Sequence, residues 1–311
     1  MHYTFKQLRY FDAALRHSSI ARAAEEMNIS QSSITAAIDV MEAAIGSRLF
    51  RRIPAKGIVP SDTGRDVGER VAAFLEQCRL FDSELLSIQG NPTGTLRLAC
   101  YAPTAPYVLP PLLKLLAARH PAVRIDLREG DMQSIADMLQ SGTVDMALTY
   151  RNQTRTGQRF LPLFRARPFA LLPEFSPLAE KTAIELSDLV ELPMVLLDLP
   201  ATLTYFRSIF ATVGLEPRIV HTTKSSSVLR GMVAAGLGYS IMNIHGHADR
   251  SPTAGYVTRP LLGDLEEPEF GVAYAPEVER SAILQAVLEI SAGLIAMGQF
   301  DPLILRQDTQ Q

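Results

Sequence analysis

Short polar side chains crowd one turn at Ser30-Gln31-Ser32-Ser33, Thr35 and Ala36 follow, and cations gather downstream at Arg48, Arg51, Arg52 and Lys56. The chemistry open to such a set is recognition of nucleic acid. Glutamine can bond an adenine edge bidentately, small side chains let a helix approach the floor of the major groove, and arginine and lysine neutralise phosphates. Arg22, a few residues upstream, adds a further cation to the same region. Residues 1–60 hold eight lysines and arginines against five acids, whereas the whole chain carries a net charge of −3. A small basic unit on a near-neutral carrier is the pattern expected of a DNA-reading head.

The elements that must position these residues are short and well punctuated. Thr4 and Gln7 form a capping-box pattern, after which Leu8, Phe11 and Leu15 share one helical face. A second helix from about Ser19 turns Ile20, Ala23, Ala24 and Met27 inward, and its alanines permit a close crossing. Asn28 suits a left-handed helix end, Ser30 suits the next N-cap, and Ile34, Ile38 and Met41 make the buried stripe of a third helix. Three helices alone allow two readings, a bundle with a solvated face or a helix-turn-helix. Gly46 then ends the helical run, and two short strands, Leu49 to Ile53 and Ile58-Val59, flank Pro54-Ala55-Lys56-Gly57. That hairpin with a cation at its tip favours a winged helix-turn-helix over residues 1–60.

Ser61 can cap a long helix over residues 61–89. Along it Val67, Val71, Phe74, Cys78, Phe81, Leu85 and Ile88 recur at spacings of four and three, a heptad seam that calls for packing against the chain's own body or self-dimerisation. The regular seam and its polar flanks favour the dimer. Residues 90–94, Gly90-Asn91-Pro92-Thr93-Gly94, read as a hinge. Beyond it strands at Leu96 to Cys100, Val123 to Leu127 and Val144 to Thr149 alternate with helices at Tyr107 to Arg119 and Ile135 to Gln140. A second set follows, with strands at Phe169 to Leu172, Met194 to Leu197, Arg218 to Thr222, Tyr239 to Asn243 and Phe270 to Tyr274. Its helices are placed at Thr204 to Thr212, Ser226 to Ala235 and Val278 to about Ala296. The alternation predicts an α/β unit over 95–300 in two lobes, about 95–162 with 266–300 and about 163–265, facing a cleft.

Other classes find little support. No G-x-S-x-G, H-E-x-x-H or P-loop pattern occurs, Gly231, Gly236 and Gly238 do not fit a dinucleotide fingerprint, and no cofactor is expected, so the chain does not read as an enzyme. His245-Gly246-His247 lacks a third metal ligand and reads as a loop, and Cys78 and Cys100 have neither metal nor disulfide spacing. No apolar run approaches the ~18 residues of a membrane span, and the N-terminus lacks a signal-peptide layout; the expected compartment is the cytoplasm, with no membrane partner.

In order and spacing, Arg9-Tyr10-Phe11, Ala23-Ala24, Ile29-Ser30-Gln31-Ser32-Ser33-Ile34, Glu42, Ile45-Gly46, Leu49-Phe50-Arg51-Arg52 and Gly64 resemble the signature of the LysR-type transcriptional regulators. The break before Leu96-Arg97-Leu98, and Gly236-Leu237-Gly238 ahead of a strand, resemble that family too. The resemblance implies an α/β protein with an all-α winged helix-turn-helix, a long linker helix, and an effector domain of the type II periplasmic-binding-protein kind. It also implies dimers that pair into tetramers on promoter DNA, and a small effector, often a carboxylate or an aromatic metabolite, between the lobes. Matched onto this chain, the effector site falls at Tyr101, Ala102, Pro103, Thr104, Met132, Tyr150, Pro200, Thr202 and Asn243. Three departures stand out: many members have proline where Ser32 stands, many have an arginine near Ala36 that helps read DNA, and members that bind aromatic carboxylates present a hydroxyl where Pro103 presents none, though Thr104 is adjacent. The alternative is a cytoplasmic solute-binding protein without sequence-specific DNA readout.

Overall fold

A computed structural model describes residues 3–53, 57–86 and 92–306, in two units that divide at Leu85 and Leu86. The N-terminal unit begins with α1 (Phe5–His17), α2 (Ile20–Met27) and α3 (Gln31–Ile45). The Thr4 cap forms as its sequence indicates, with the Gln7 N–H donating to Thr4 Oγ1 at 3.3 Å and the Thr4 N–H to Gln7 Oε1 at 2.8 Å. Asn28 ends α2 in the left-handed conformation, φ 52°, and Ser30 opens α3 after a turn of only a few residues. Phe11, Ala23, Ala24, Ile34 and Met41 close the core between the three helices. Each large side chain taken out of water there contributes roughly 1.5–3 kcal/mol. At the surface the Arg16 guanidinium grips Glu26 at 2.6 and 3.0 Å and Asp12 at 2.9 Å, tying α1 to α2.

Strands β1 (Phe50–Ile53) and β2 (Gly57–Pro60) pair antiparallel as the wing, and α4 (Asp62–Leu86) follows. Ser61 caps α4 by accepting the Gly64 N–H at 2.9 Å. Gly64 is a packing necessity, because a Cβ there would stand 2.0 Å from the Leu49 carbonyl oxygen.

The second unit starts with β3 (Gly94–Tyr101), α5 (Ala105–Arg119), β4 (Val123–Gly130), α6 (Met132–Gln140), β5 (Met146–Tyr150) and β6 (Arg159–Arg165). With β12 (Glu269–Tyr274) they build lobe I, a five-stranded sheet in the order β4-β3-β5-β12-β6, parallel from β4 to β5 and antiparallel at β12. The β6–β12 register runs to Arg165, so this sheet extends a few residues past the expected edge at 162. Lobe II comprises β7 (Phe169–Pro173), α7 (Leu186–Leu189), β8 (Met194–Leu197), α8 (Thr202–Ala211), β9 (Ile219–Thr223), α9 (Ser226–Ala234), β10 (Ser240–Met242) and β11 (Tyr256–Pro260). Its strands run β10-β7-β11 and β8-β9, bridged between Met194 and Tyr239. Along β7, Ala170 and Leu172 join the core under α8 while Phe169 and Leu171 join the one under α9. Burial on both faces explains a continuous apolar run rather than an alternating one.

The chain passes between lobes at 166–168 and again at 266–268, where the Ala166 N–H bonds the Pro268 carbonyl at 3.0 Å. It then forms α10 (Ala282–Ala296) against α5 and β6 in lobe I, and returns so that the His245 N–H meets the Leu303 carbonyl at 2.9 Å. Beside that return, the Arg230 guanidinium and Asp249 carboxylate pair at 2.6 and 2.8 Å, both buried, and Asp249 also accepts from the Gly246 N–H and the Tyr256 hydroxyl.

Candidate DNA-binding surface and effector cavity

Gln31, Ser32 and Ala36 lie exposed on the first turns of α3, and Arg22 is exposed on α2. The other predicted readers are committed to the helix. Ser30 Oγ takes the Ser33 N–H at 3.3 Å and stands 2.8 and 2.9 Å from the Ser32 and Ser33 hydroxyls, while Thr35 Oγ1 donates to the Gln31 carbonyl at 3.1 Å. Ser30 is therefore a cap first, and Ser33 and Thr35 are half-buried.

The wing is fixed to α3 through Glu42, a residue that entered the sequence reading only as a signature position. Its carboxylate, 9% exposed, accepts the N–H groups of Leu49 at 2.7 Å and Phe50 at 3.2 Å and the Arg48 guanidinium at 2.8 Å. Arg48 stays 81% exposed despite that contact, and Arg51 is exposed on β1. The Arg52 side chain and Lys56 lie outside the described residues.

The heptad seam of α4 divides. Val71 is only 7% exposed and, with Val67 and Leu75, belongs to the core of the head, so the first heptad of the expected dimer seam is intramolecular packing. Phe74 sets its ring edge-on to Phe5 at 6.4 Å. Further along, Phe81 and Leu85 are 58% and 48% exposed, with Cys78 half-exposed among them. Ile88 falls outside the described residues.

Between the lobes lies a cavity of about 50 Å³. Of the nine residues assigned to the effector site, Tyr101, Pro103, Thr104, Met132, Tyr150, Thr202 and Asn243 line it. Ala102 and Pro200 are not among its lining; both are exposed on the turns that precede α5 and α8. The wall also takes Asn152, Gln153, Leu197, Ala201, Tyr205, Phe206, Met242, Ile244 and Pro268, drawn from distant segments with no shared local pattern.

The cavity is braced across the cleft. The Tyr101 hydroxyl of lobe I and Thr202 Oγ1 of lobe II are 3.1 Å apart, and Tyr101 meets the Tyr150 ring edge-on at 5.9 Å. Asn243 Nδ2 donates to the Ala166 carbonyl at 2.9 Å and the Tyr205 oxygen at 3.0 Å, and the Tyr205 hydroxyl donates to the Glu266 carbonyl at 3.0 Å. Both segments that cross between the lobes are thus held by side chains of the cavity wall. Burial pushes the Tyr101 hydroxyl up to about 12 and raises those of Tyr150 and Tyr205, so all three stay neutral donors near neutrality. Burial likewise pushes the Cys100 thiol up to about 12, which leaves it a protonated core residue rather than a reactive thiolate. His245 and His247 face different partners, Thr258 and Tyr107, and no metal-holding cluster occurs among the described residues.

A winged head with an outward polar helix, joined to a two-lobed unit enclosing a cavity at its crossing segments, defines a ligand-responsive DNA-binding protein. Family comparison agrees with that class: residues 5–65 match the bacterial regulatory helix-turn-helix protein, lysR family, and residues 89–294 match the LysR substrate binding domain. The chain belongs to the LysR family of transcriptional regulators. It is 30% identical over 279 residues to a RuBisCO operon transcriptional regulator of Allochromatium vinosum, covering 88% of this chain and 90% of that one. It is similar to the crystal structure of HinK, a LysR family regulator of Pseudomonas aeruginosa, with 27% identity, a TM-score of 0.61, and coverage of 94% and 99%. Full-length CbnR in complex with target DNA shares the fold at 21% identity and a TM-score of 0.56, covering 94% and 99%. Among the described residues, no helix is long and apolar enough to cross a membrane.

Proposed function

We propose that the chain is a cytoplasmic regulator that binds promoter DNA as a homotetramer and answers to a small metabolite held between its lobes. Gln31, Ser32 and Ala36 face the base edges, while Arg22, Arg48, Arg51, Arg52 and Lys56 set the head on phosphates. With alanine at 36, base contact is sparse, and DNA shape supplies the rest of the specificity. The exposed half of the α4 seam, from Phe74 to Leu85, pairs two heads.

The observation that carries the reading is the placement of the cavity on the crossing segments. Tyr205 and Asn243 touch both the cavity and the backbone at Glu266 and Ala166, so a bound molecule changes how firmly the lobes are held. A difference of that kind biases the protein between arrangements of its heads.

The test is a salt-series titration of the purified chain against labelled DNA from upstream of its own gene, with random DNA as competitor. Binding that survives competitor and weakens steeply with salt is the expected result. Gln31→Ala should lower discrimination at one base pair by about 1–3 kcal/mol, whereas Arg51→Ala should weaken all sequences and flatten the salt slope by about 1. Equal affinity for specific and random DNA at every salt concentration would overturn the reading.

A further inference from the structure

We infer that Ala201 is the positioning residue of a strained latch on the interlobe cavity: its turn is held out of its relaxed conformation by the contact between Thr202 and Tyr101, and relaxes when that contact is lost. That a ligand releases the latch rests on the reading that the effector binds between the lobes; the latch itself does not.

Three non-glycine residues among those described hold a positive φ: Ser18, Asn28 and Ala201. Ser18 and Asn28 end α1 and α2, where a left-handed residue is common. Ala201, at φ 66° and ψ −27°, stands instead at the start of α8. The residues in that position ahead of α2, α3, α6 and α9 are all extended, as a residue before a first helical turn ordinarily is. The Thr202 N–H bonds the Leu199 carbonyl at 3.1 Å across Pro200 and Ala201. With proline second and a positive φ third, this is a type II turn, whose third position usually belongs to glycine. Alanine there bears a steric cost that glycine avoids, and α8 has no side-chain cap to offset it.

Strain of this kind persists only where the surroundings over-determine the backbone. Thr202, 4% exposed, reaches from lobe II to the Tyr101 hydroxyl of lobe I at 3.1 Å. The Ala201 carbonyl accepts the Tyr205 N–H at 3.0 Å, and the Tyr205 hydroxyl donates to the Glu266 carbonyl on the crossing segment, also at 3.0 Å. Tyr101, Ala201, Thr202 and Tyr205 all line the cavity. A ligand that takes the Tyr101 hydroxyl breaks the Thr202 contact, frees Ala201 to return to negative φ, and shifts the first turn of α8 with Tyr205 on it. The strained alanine favours that release, whereas a glycine would leave the turn where it stands.

A double-mutant cycle tests the coupling with no ligand present, so its outcome is separate from that of the interlobe reading. Ala201→Gly is made in the wild type, in Tyr101→Phe and in Thr202→Val, each shown folded by circular dichroism. Stability of the effector unit is read in the full-length protein from the slowest amide exchange of β7 and β8. Glycine should raise the folding equilibrium constant of the unit about threefold or more in the wild type. It should give no gain in either of the other backgrounds, where Ala201 has already relaxed and the wider unfolded freedom of glycine counts against it. A gain of the same size in all three backgrounds would show strain that the Tyr101–Thr202 contact does not hold, and would overturn the latch. No gain in the wild type would show that the turn is unstrained and would overturn it equally.

Discussion

The Glu42 carboxylate receives the Leu49 N–H at 2.7 Å, a bond that joins the last turns of α3 to the first residues of the wing. Glu42 also satisfies the Phe50 N–H and the Arg48 guanidinium, so one buried anion ties α3 to the wing. Glu42→Ala leaves two buried backbone donors unpaired and should destabilise the head by about 1–3 kcal/mol, read as a lower urea midpoint for its unfolding. DNA affinity should fall together with stability. Wild-type affinity in a measurably destabilised variant would show that the wing does not depend on this tie.

The two halves of α4 should respond oppositely to the same chemistry. Phe81→Asp places a charge on an exposed surface, and should abolish self-association in sedimentation while leaving the thermal melt of the head unchanged. Val71→Asp buries an unpaired charge in the head's core and should cost about 4 kcal/mol or more, visible as unfolding of the head. A fully associated Phe81→Asp protein would remove this half of α4 from the dimer.

Arg230 and Asp249 are 8% and 0% exposed, deep enough that neither can be left alone. Asp249→Ala should lower stability of the effector unit by about 3–5 kcal/mol in urea, because it strands a buried guanidinium. Replacing both with apolar residues should recover most of that loss. A double variant as unstable as the single one would mean that the Gly246 and Tyr256 bonds to Asp249, rather than the charge pair, hold this corner.

Glu26 predicts a pH dependence in the head. The Arg16 hydrogen bond, opposed in part by burial and aided by His17, holds its carboxyl at about 2 against an ordinary 4.5. The ion pair therefore stabilises the fold above about 4.5 and loses its effect as pH falls through that range to about 2. Glu26→Gln should be less stable than wild type at neutral pH, and the gap should close on acidification. Both groups are partly exposed, so the difference should also shrink in high salt. A gap that persists at pH 2 would assign it to packing rather than to charge.

Much of the head was legible because its signals are local. Thr4, Asn28, Ser30 and Ser61 each act within a few residues, and each forms the cap or turn its type indicates. The seam misled at Val67 and Val71 because heptad spacing records an apolar stripe without saying what covers it. Strands β6 and β11 gave no readable pattern. Both lie at sheet edges, and β6 carries Pro162, which an edge tolerates. The cavity was half legible: Tyr101, Thr104, Tyr150 and Thr202 came through the family resemblance, while Tyr205, Met242 and Pro268 reach it through the topology of lobe II and its crossings. Nothing in their own neighbourhoods marks them.

The split of α4 near Phe74 also bears on how such a chain can diverge after gene duplication. Residues ahead of the split are constrained by the core they fill, whereas Phe81 and Leu85 are exposed and, with Cys78, lie outside that core. If that outer stretch pairs two heads, as proposed, substitutions in it change which copy a protomer accepts while the helices of the head keep their packing. Two sister proteins could thus become insulated from mixed assembly before their operators drift apart.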